Sequence, residues 1–559
     1  MRALKRRRLL RNAFLLLAGL VLASAGALWL TLRGSLPTLQ GELRLEGLSA
    51  PVTIERDASG VPTLKGAARN DLARATGFLH GQERFFQMDL MRRRAAGELS
   101  ELIGPATVTL DEDVRVHRFR SVAQKVVARF TPVQKTMMDA YVSGVNAGLQ
   151  ALRVRPYEYV LLRTAPDPWK AEDSVLCVLS MFLTLHEARG EKESTLAAMR
   201  DALPPALFDF LAPRGNAEWD APIDGGPIAE APVPGPEVVD LRDAAPAKAA
   251  LAGLGDTDGL SPDENRPAIG SNNWAVDAAH STTGFAMVAD DMHLEIAVPI
   301  IWYRLRLEFK DAAGTPRAVT GVSLPGTAGI VAGSNGAVAW GFTNTQADWN
   351  DLVLLEPGPR PNTYLTPEGP REFEKTQEVI KVKGAAPRTL DVVGTVWGPV
   401  IDRDPNGVMR AYQWTAHDPE AVNLELLDLE TAGCVDEAVA IAHRAGAPPQ
   451  NAMIADRTGR IAWTVAGRIP KRVGFEGRLP VTRSDASRKW DGWVADAGVP
   501  RVVEPKAGKL WTANARVVSG PMLAILGEGN YPLGARARQI RDDLFAKEKL
   551  SASDLMDIQ

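Results

Sequence analysis

The sequence predicts an α+β chain, and three observations carry that reading. Apolar residues recur at helical spacing through much of 71–203. They alternate at the two-residue spacing of strands after Ser271, and a Pro/Ala/Gly/Asp-rich tract at about 217–269 separates the two regimes. A helix-rich part therefore precedes a strand-rich part.

At 559 residues the chain has room for several cores or one large multilayer domain. An apolar fraction of 45% and a charged fraction of 24% are those of an ordinary globular protein. Lys+Arg 64 against Asp+Glu 68 leaves no basic footprint, so no nucleic-acid partner is expected. The two cysteines, Cys177 and Cys434, are far apart and have no histidines at ligand spacing. They predict neither a disulfide framework nor a zinc cluster, but two free thiols.

At the N-terminus, Arg2, Lys5, Arg6, Arg7, Arg8 and Arg11 precede an uncharged apolar run from Ala13 to Leu32. That length crosses a bilayer as a helix, and the basic flank keeps the N-terminus cytoplasmic. Ala23-Ser24-Ala25 is also a small-residue cleavage pattern. An uncleaved anchor is favoured because the apolar run continues through Leu28-Trp29-Leu30. Residues 1–33 are thus an anchor or signal segment, and the body is exported in either case.

Residues 34–216 form the helix-rich part. Alternation over Val52–Asp57 predicts a strand, and Ser59-Gly60-Val61-Pro62 a turn. Asp71 reads as the N-cap of a long helix with Phe78, Phe85, Phe86, Met88 and Leu90 on its apolar side. Arg84, Arg92, Arg93 and Arg94 are expected to form a charged surface paired with Glu98 and Glu101. Further helices are predicted over 132–152 and 174–203.

Residues 217–270 carry little continuous apolar patterning, as in Pro234-Gly235-Pro236 and Gly255-Asp256-Thr257-Asp258-Gly259, and predict a flexible or removable spacer. Strands are then expected at 273–276, 285–288, 300–309, 317–322, 330–332, 338–342, 379–382, 389–393 and 461–465. Helices are expected near 423–431 and 435–444.

Gly270-Ser271-Asn272-Asn273-Trp274 lies where the spacer stops and the first of these strands begins. Cleavage of the Gly270–Ser271 bond would give Ser271 a hydroxyl nucleophile and a free α-amine in one residue. That amine, with an ordinary pKa of about 7.7–8.0, accepts the hydroxyl proton without a separate base. On these residues alone, an N-cap or turn serine stands beside the catalytic reading.

With these landmarks in place, the sequence resembles the penicillin acylase family of N-terminal-nucleophile hydrolases from Val52 to the last residue. Gly77-Phe78-Leu79-His80-Gly81-Gln82-Glu83-Arg84-Phe85-Phe86-Gln87-Met88-Asp89 is similar to a family helix, and Gly270–Trp274 to the self-processing junction. Asp290-Asp291-Met292-His293-Leu294 resembles a D-P-H-L segment with Met292 in place of proline. Gly333–Gly336 and Trp340–Asn344, Pro449-Gln450-Asn451, Gly467–Arg472, Trp490–Trp493 and Thr512-Ala513-Asn514 follow in the family's order.

The resemblance implies an αββα sandwich of two stacked, mainly antiparallel sheets between helical layers. It implies a light chain (34–216), a spacer (217–270) and a heavy chain (271–559) cut from one precursor. Ser271 is then the autoproteolytic residue and the acyl-accepting nucleophile. His293 orients its amine, the Asn344 main-chain N–H and the Asn451 side-chain amide form the oxyanion hole, and Arg472 holds Asn451. Asp348, Asn350 and Asp351, with Glu191 or Glu193 from the light chain, are implied ligands of a structural calcium. No organic cofactor is implied.

The expected substrates are small acylated amides: penicillins or cephalosporins, acyl-homoserine lactones, or related compounds. Trp302, Tyr303 and Trp349 are candidates for the acyl pocket. The expected location is the bacterial cell envelope, with the N-terminal helix in the inner membrane and the catalytic body in the periplasm. The family's members continue beyond the point where this sequence stops, at Gln559, so part of the heavy chain is expected to be missing. An alternative reading is an unprocessed or inactive homologue that acts as an envelope binding or scaffold protein. A conventional serine hydrolase is disfavoured, because no G-x-S-x-G elbow with ordered triad partners is found.

Overall fold

A computed structural model describes residues 2–240, 270–294 and 296–559. Most of the expected spacer, 241–269, lies outside the described residues. Helix α1 (Arg2–Gly34) is fully exposed along its apolar stretch and is long and apolar enough to cross a membrane.

The helix-rich part departs from expectation at its boundaries. Helix α2 (Arg69–Glu83) has Ala68 at its N-cap, and Asp71 lies within its first turn. Asp71 instead accepts hydrogen bonds from the Ser49 amide at 2.8 Å and the Ser49 hydroxyl at 2.5 Å, tying down the incoming chain. At Arg84 the backbone leaves the helical region, with φ −135°, so a separate helix α3 (Phe85–Ala96) follows. Helix α4 (Pro132–Gln150) lies directly on α2: a Cβ added at Gly144 would sit 2.0 Å from the Arg74 carbonyl oxygen. The single helix expected over 174–203 is two, α5 (Ala171–Leu185) and α6 (Glu191–Ala202), parted before Gly190 at φ +66°.

The arginines expected on a surface are partly internal. Arg92 and Arg93 are buried, and both bond the buried Asp89 carboxylate, at 2.7 and 2.9 Å. Arg92 also bonds Asp173 at 2.5 Å, while Glu98 pairs with Arg120 at 2.6 Å. These ion pairs tie helices of the same part together.

Three sheets of three or more strands occur among the described residues. The nine-stranded sheet contains β1 (Thr53–Arg56), β2 (Pro62–Ala68), β5 (Tyr303–Lys310), β6 (Pro316–Ser323), β7 (Ala332–Ser334), β8 (Val338–Asn344), β11 (Gln450–Asp456), β12 (Ile461–Ala466) and β13 (Arg501–Val503), in that order. It is antiparallel except where β2 joins β5, so residues before and after the spacer share it. The three-stranded sheet is β14 (Lys509–Thr512), β3 (Gly270–Val276) and β4 (Met287–His293), with β3 central. A six-stranded sheet contains β9 (Asn350–Leu354) and β10 (Met409–Trp414), and packs Leu352, Tyr412 and Trp414 against α5.

Three apolar clusters fix how the layers stack. One joins a face of the nine-stranded sheet to α2 and α7 (Val435–Arg444), through Leu305, Ile454 and Ala462 against Leu72, Val439 and Ala442. A second joins its other face to the three-stranded sheet, through Met453, Trp463 and Val465 against Ala275 and Leu510. The third covers the far side of the three-stranded sheet with α8 (Ala535–Phe545) and α9 (Ala552–Asp557), through Trp274 and Val276 against Ile540, Leu544 and Leu555. On β3, alternation sends Ala275 to one neighbour and Trp274 and Val276 to the other.

Two other expectations change. The segment 423–431 is a 3-10 turn, Glu425–Glu430, followed by the expected helix α7. The start of the expected spacer is docked: Asp220 pairs with Arg516 at 2.8 Å, and the Trp511 indole donates to the Ala221 carbonyl at 2.7 Å. The looseness expected from 217 onward therefore does not hold for 220–221.

Candidate active site

Strand β3 places Ser271 in the second position of a fully buried strand, where Ser271 pairs with Met292 and Gly270 with His293. Residues paired across an antiparallel ladder share a face, so the Ser271 hydroxyl shares its face with Met292, Asn273 and Ala275. That face looks toward the nine-stranded sheet. The Ser271 hydroxyl donates to the Gly270 carbonyl at 2.6 Å, and the Ser271 amide donates to Asn514 Oδ1 at 2.7 Å.

Asn514 and Arg536 are the residues that sequence reasoning missed. Asn514 is buried at φ +66°, a left-handed conformation that asparagine tolerates better than most side chains. Its Nδ2 donates to the Asn344 carbonyl at 2.9 Å, and its Oδ1 accepts from both Ser271 and Arg536. The Arg536 guanidinium also reaches the Ser271 carbonyl at 3.1 Å and Asn272 Oδ1 at 2.6 Å. Thr512-Ala513-Asn514 carried a signal as a landmark without a role. Arg536 lies on α8 and carried none.

His293 is placed otherwise than expected. It shares a face with Gly270 and Asn272, opposite the Ser271 hydroxyl, and its Nε2 bonds Asp291 at 2.6 Å. The group at the Ser271 nitrogen is Asn514.

Asn344 ends β8 and Asn451 is the second residue of β11, opposite Thr343. Both asparagines are buried. Asn451 Nδ2 donates to Thr343 Oγ1 at 3.0 Å and lies 3.4 Å from the Asn344 carbonyl, while the Trp463 indole donates to Asn451 Oδ1 at 3.0 Å. Thr343 in turn bonds Thr512 at 2.8 Å, and Thr512 donates to Asn273. A polar strip thus runs between the stacked sheets from Asn451 to the strand that carries Ser271. Arg472 has no part in it, and Trp463 and Thr343 hold Asn451 in the expected arginine's place.

Arg472 serves the expected cation site. Its guanidinium bonds Asp348 Oδ1 at 2.8 Å, Asp351 Oδ2 at 3.0 Å, and the carbonyls of Asp348 and Asn350 at 3.1 Å each. Arg483 approaches Asp351 at 3.3 Å. Glu193 is buried and accepts from the Leu352 amide at 3.0 Å, whereas Glu191 is exposed. Burial, then the charges of its neighbours, pushes the Glu193 carboxyl well above its ordinary range, and burial does the same to Asp348. Arg472 takes Asp348 Oδ1, both Asp351 oxygens and the Asn350 carbonyl, while Asp348 Oδ2 is buried without a hydrogen-bond partner. Among the described residues no group of three or more His, Cys, Asp or Glu is arranged to hold a metal. Glu193, Asp348 and Asn350 nevertheless line one cavity of about 30 Å³, so residues that the resemblance implies for a cation lie together with an unpartnered carboxylate oxygen.

Ser271 lines a cavity of about 170 Å³. Trp302 lines it too, with Met292, Phe342, Val175, Met181 and Leu427. The other two pocket candidates do not. Tyr303 is buried with its hydroxyl donating to Glu83 at 2.9 Å, and Trp349 is buried with its indole donating to Thr345 at 3.0 Å.

The family model for penicillin amidase matches residues 51–559. The chain is 31% identical over 537 residues to penicillin acylase 2 proenzyme of Pseudomonas sp. (strain SE83), covering 94% of this chain and 66% of that protein. It is 29% identical over 504 residues to the acyl-homoserine lactone acylase QuiP of Pseudomonas aeruginosa, covering 87% and 57%. The chain therefore spans about two thirds or less of the length of these curated relatives. A solved structure of thermostable penicillin G acylase from Alcaligenes faecalis overlaps 52% of this chain and 51% of its own, at 22% identity and a TM-score of 0.45. By the extent of the family match, this chain belongs to the penicillin amidase family.

Proposed function

We propose that this chain is a self-processing amidohydrolase with Ser271 as its N-terminal nucleophile. The observation that carries the reading is the placement of Ser271. Its nitrogen is held 2.7 Å from Asn514 Oδ1, its hydroxyl contacts the Gly270 carbonyl at 2.6 Å, and Ser271 lines a cavity to which no charged side chain contributes among the described residues. A hydroxyl next to the peptide group before it is suited to an N-to-O acyl shift followed by hydrolysis. That sequence would separate an N-terminal part ending at Gly270 from a heavy part beginning at Ser271.

In the processed form, Ser271 Oγ attacks the carbonyl of an acylated amide and the C–N bond breaks. The proton taken by the α-amine passes to the leaving amine, and water then hydrolyses the ester. Asn514 Oδ1 orients the α-amine in this scheme. Asn451, neutral and fixed by Trp463, is the proposed oxyanion donor with the Asn344 main chain. The stacking of helix, sheet, sheet and helix around β3 supports the αββα sandwich reading. Acylated amides such as those named for the relatives are the proposed substrates. Helix α1 supports an inner-membrane anchor or a signal peptide, with the body outside the cytoplasm. Arg472 is proposed to clamp Asp348 and Asp351, and Glu193, Asp348, Asn350 and Asp351 are proposed to hold a structural calcium beside it.

Intact masses and N-terminal sequences of the purified protein and its Ser271→Ala variant test this. Two chains from the wild type, one beginning Ser-Asn-Asn-Trp, and one uncut chain from the variant are expected. A single chain from both would overturn self-activation and favour a binding or scaffold role in the envelope.

A further inference from the structure

Helix α1 runs straight into the body of the protein. The carbonyl of Gly34, its last residue, accepts from the Val154 amide at 3.0 Å, and the Ser35 hydroxyl contacts the Arg155 carbonyl at 2.9 Å. A Cβ added at Gly34 would fall 2.5 Å from Val154 Cγ2, so no spacer separates the helix end from residues 154–155. The apolar run Ala13–Leu32 rises about 30 Å as a helix, which is the thickness of a hydrocarbon core. Arg33 follows it and lies over the Trp29 ring at 5.4 Å, and tryptophan favours the membrane–water interface. Val154 and Arg155 are therefore held at the level where α1 leaves lipid. Tyr157 is two residues on, within about 7 Å of Arg155 along the chain, and the headgroup layer is itself about 5–8 Å deep. In the one-turn helix Tyr157–Leu161, Tyr159 turns inward and donates to the buried Asp89 at 2.5 Å. Tyr157 and Leu161, four apart and on one side, are 45% and 71% exposed, and Leu36 beside Ser35 is 63% exposed. Arg153, Arg155 and Arg163 are exposed and have no ion pair among the described residues, and the stretch 153–163 holds a single acid, Glu158.

We infer that this face of the body, with Leu36, Tyr157 and Leu161 among Arg153, Arg155 and Arg163, rests on the extracytoplasmic surface of the membrane that α1 crosses. The inference rests on the reading of α1 as an uncleaved anchor. Exposed leucines scattered singly are ordinary on a protein surface. These differ in their place, because the end of α1 holds them at the headgroups. Lifting the body away would break the Gly34–Val154 and Ser35–Arg155 contacts. Lipid is therefore the occupant that the same chain brings to this spot. The leucines gain by leaving water for the acyl boundary, and the tyrosine ring suits an interface that is apolar on one side and wet on the other. The unpaired guanidiniums meet lipid phosphates, which they bond as forks, and are favoured further where the leaflet is anionic.

The test is lipid contact in vesicles of phosphatidylcholine and phosphatidylglycerol that carry the full chain. Leu161→Cys and, as a reference inside the bilayer, Leu20→Cys are each made in a Cys434→Ser background and given an environment-sensitive fluorophore. Cys177, the other cysteine, is buried. Quenching by nitroxides on the lipid acyl chains is compared with quenching by aqueous iodide. The lipid nitroxides are expected to quench the Leu161 fluorophore, and iodide to be largely excluded from it. Arg153→Glu and Arg155→Glu together should lower the lipid quenching at Leu161 by at least about 2-fold and leave Leu20 unchanged. A Leu161 fluorophore open to iodide and untouched by the nitroxides, beside a Leu20 fluorophore in lipid, overturns the inference and keeps the anchor. Shielding of Leu161 from both quenchers would put a second copy of the chain on this face and overturns it too. A purified chain that begins after Ala25 overturns the anchor and the inference with it. Unchanged quenching in the double arginine variant overturns the role of the arginines.

Discussion

The Ser271 amide nitrogen donates to Asn514 Oδ1 across 2.7 Å, from one strand of the three-stranded sheet to the turn that follows its neighbour. Asn514 ties this nitrogen to the Asn344 carbonyl and to Arg536 at once, so a single amide side chain links the nucleophile strand, the nine-stranded sheet and helix α8. In the processed enzyme the same oxygen would orient the α-amine that acts as base.

Asn514→Ala removes that acceptor, and leaves the Asn344 carbonyl with only the longer contact to Asn451 Nδ2 and Arg536 with one partner fewer. The expected outcome is slow or absent self-cleavage, read by intact mass, and a fall in kcat exceeding any rise in KM for whatever fraction is cut. Asn514→Asp keeps an acceptor at Oδ1 and loses the donor to Asn344, so it should process more completely than the alanine variant. Equal processing by wild type and Asn514→Ala would remove Asn514 from the mechanism.

Asn451 is positioned by the Trp463 indole and Thr343 within the buried layer between the sheets. An oxyanion donor acts mainly on the transition state, and loss of one costs about 10²–10³ in kcat. Asn451→Ala should therefore lower kcat by that order while leaving KM within about a factor of 3 of wild type, because the donor contributes little to ground-state binding. A loss confined to KM would place Asn451 in substrate binding.

The extent to which the sequence showed this arrangement follows the range of the interactions involved. Strand β3, helices α4 and α7 and the strand-rich second part were legible because alternation and helical spacing are local patterns. The breaks at Arg84 and before Gly190 were not, since both flanks keep helical patterning and the break is set by packing. Ser271, Asn451 and Asp348 were legible only as positions of the family resemblance. Their partners were less so: Arg472 reads as a support for Asn451 in sequence order, yet it bonds Asp348 and Asp351. His293, which the resemblance sets beside the serine amine, is near Ser271 along the ladder and on the other side of the sheet. Arg536 arrives on a helix 265 residues after Ser271 and has no local signature at all.

Arg472 and its two aspartates are nearly fully buried, so breaking this cluster leaves uncompensated charge in a low-dielectric interior. Arg472→Gln is expected to destabilise the chain by about 3–5 kcal/mol, the usual cost of removing one partner of a buried pair. It should show as a lower thermal midpoint. Because Asp348 Oδ2 is buried in this cluster without a hydrogen-bond partner, the wild-type midpoint should be higher in excess calcium than in excess EGTA. Equal midpoints in the two would leave Arg472 as the whole of the clamp.

Asp290 gives the stability a pH dependence of definite sign. Its carboxyl oxygens are buried, and burial pushes its pKa from 3.8 up to about 8, against the pull of the Phe342 main-chain N–H. Between those two values the folded chain holds a proton that the unfolded chain has released, so stability falls as pH rises through the window. The contribution is fully present below 3.8 and is lost as pH climbs through about 8. Asn273, opposite Asp290 on β3, is joined through Thr512 to the polar strip that ends at Asn451, so ionisation of Asp290 places charge next to that strip. Asp290→Asn keeps the shape and stays neutral throughout. Thermal midpoints measured at mildly acidic, neutral and mildly alkaline pH should show the variant gaining on the wild type as pH rises, whatever fixed offset the substitution brings. Parallel curves for the two proteins would mean that Asp290 does not titrate in this window, and the coupling between the inter-sheet layer and pH would have to come from another group.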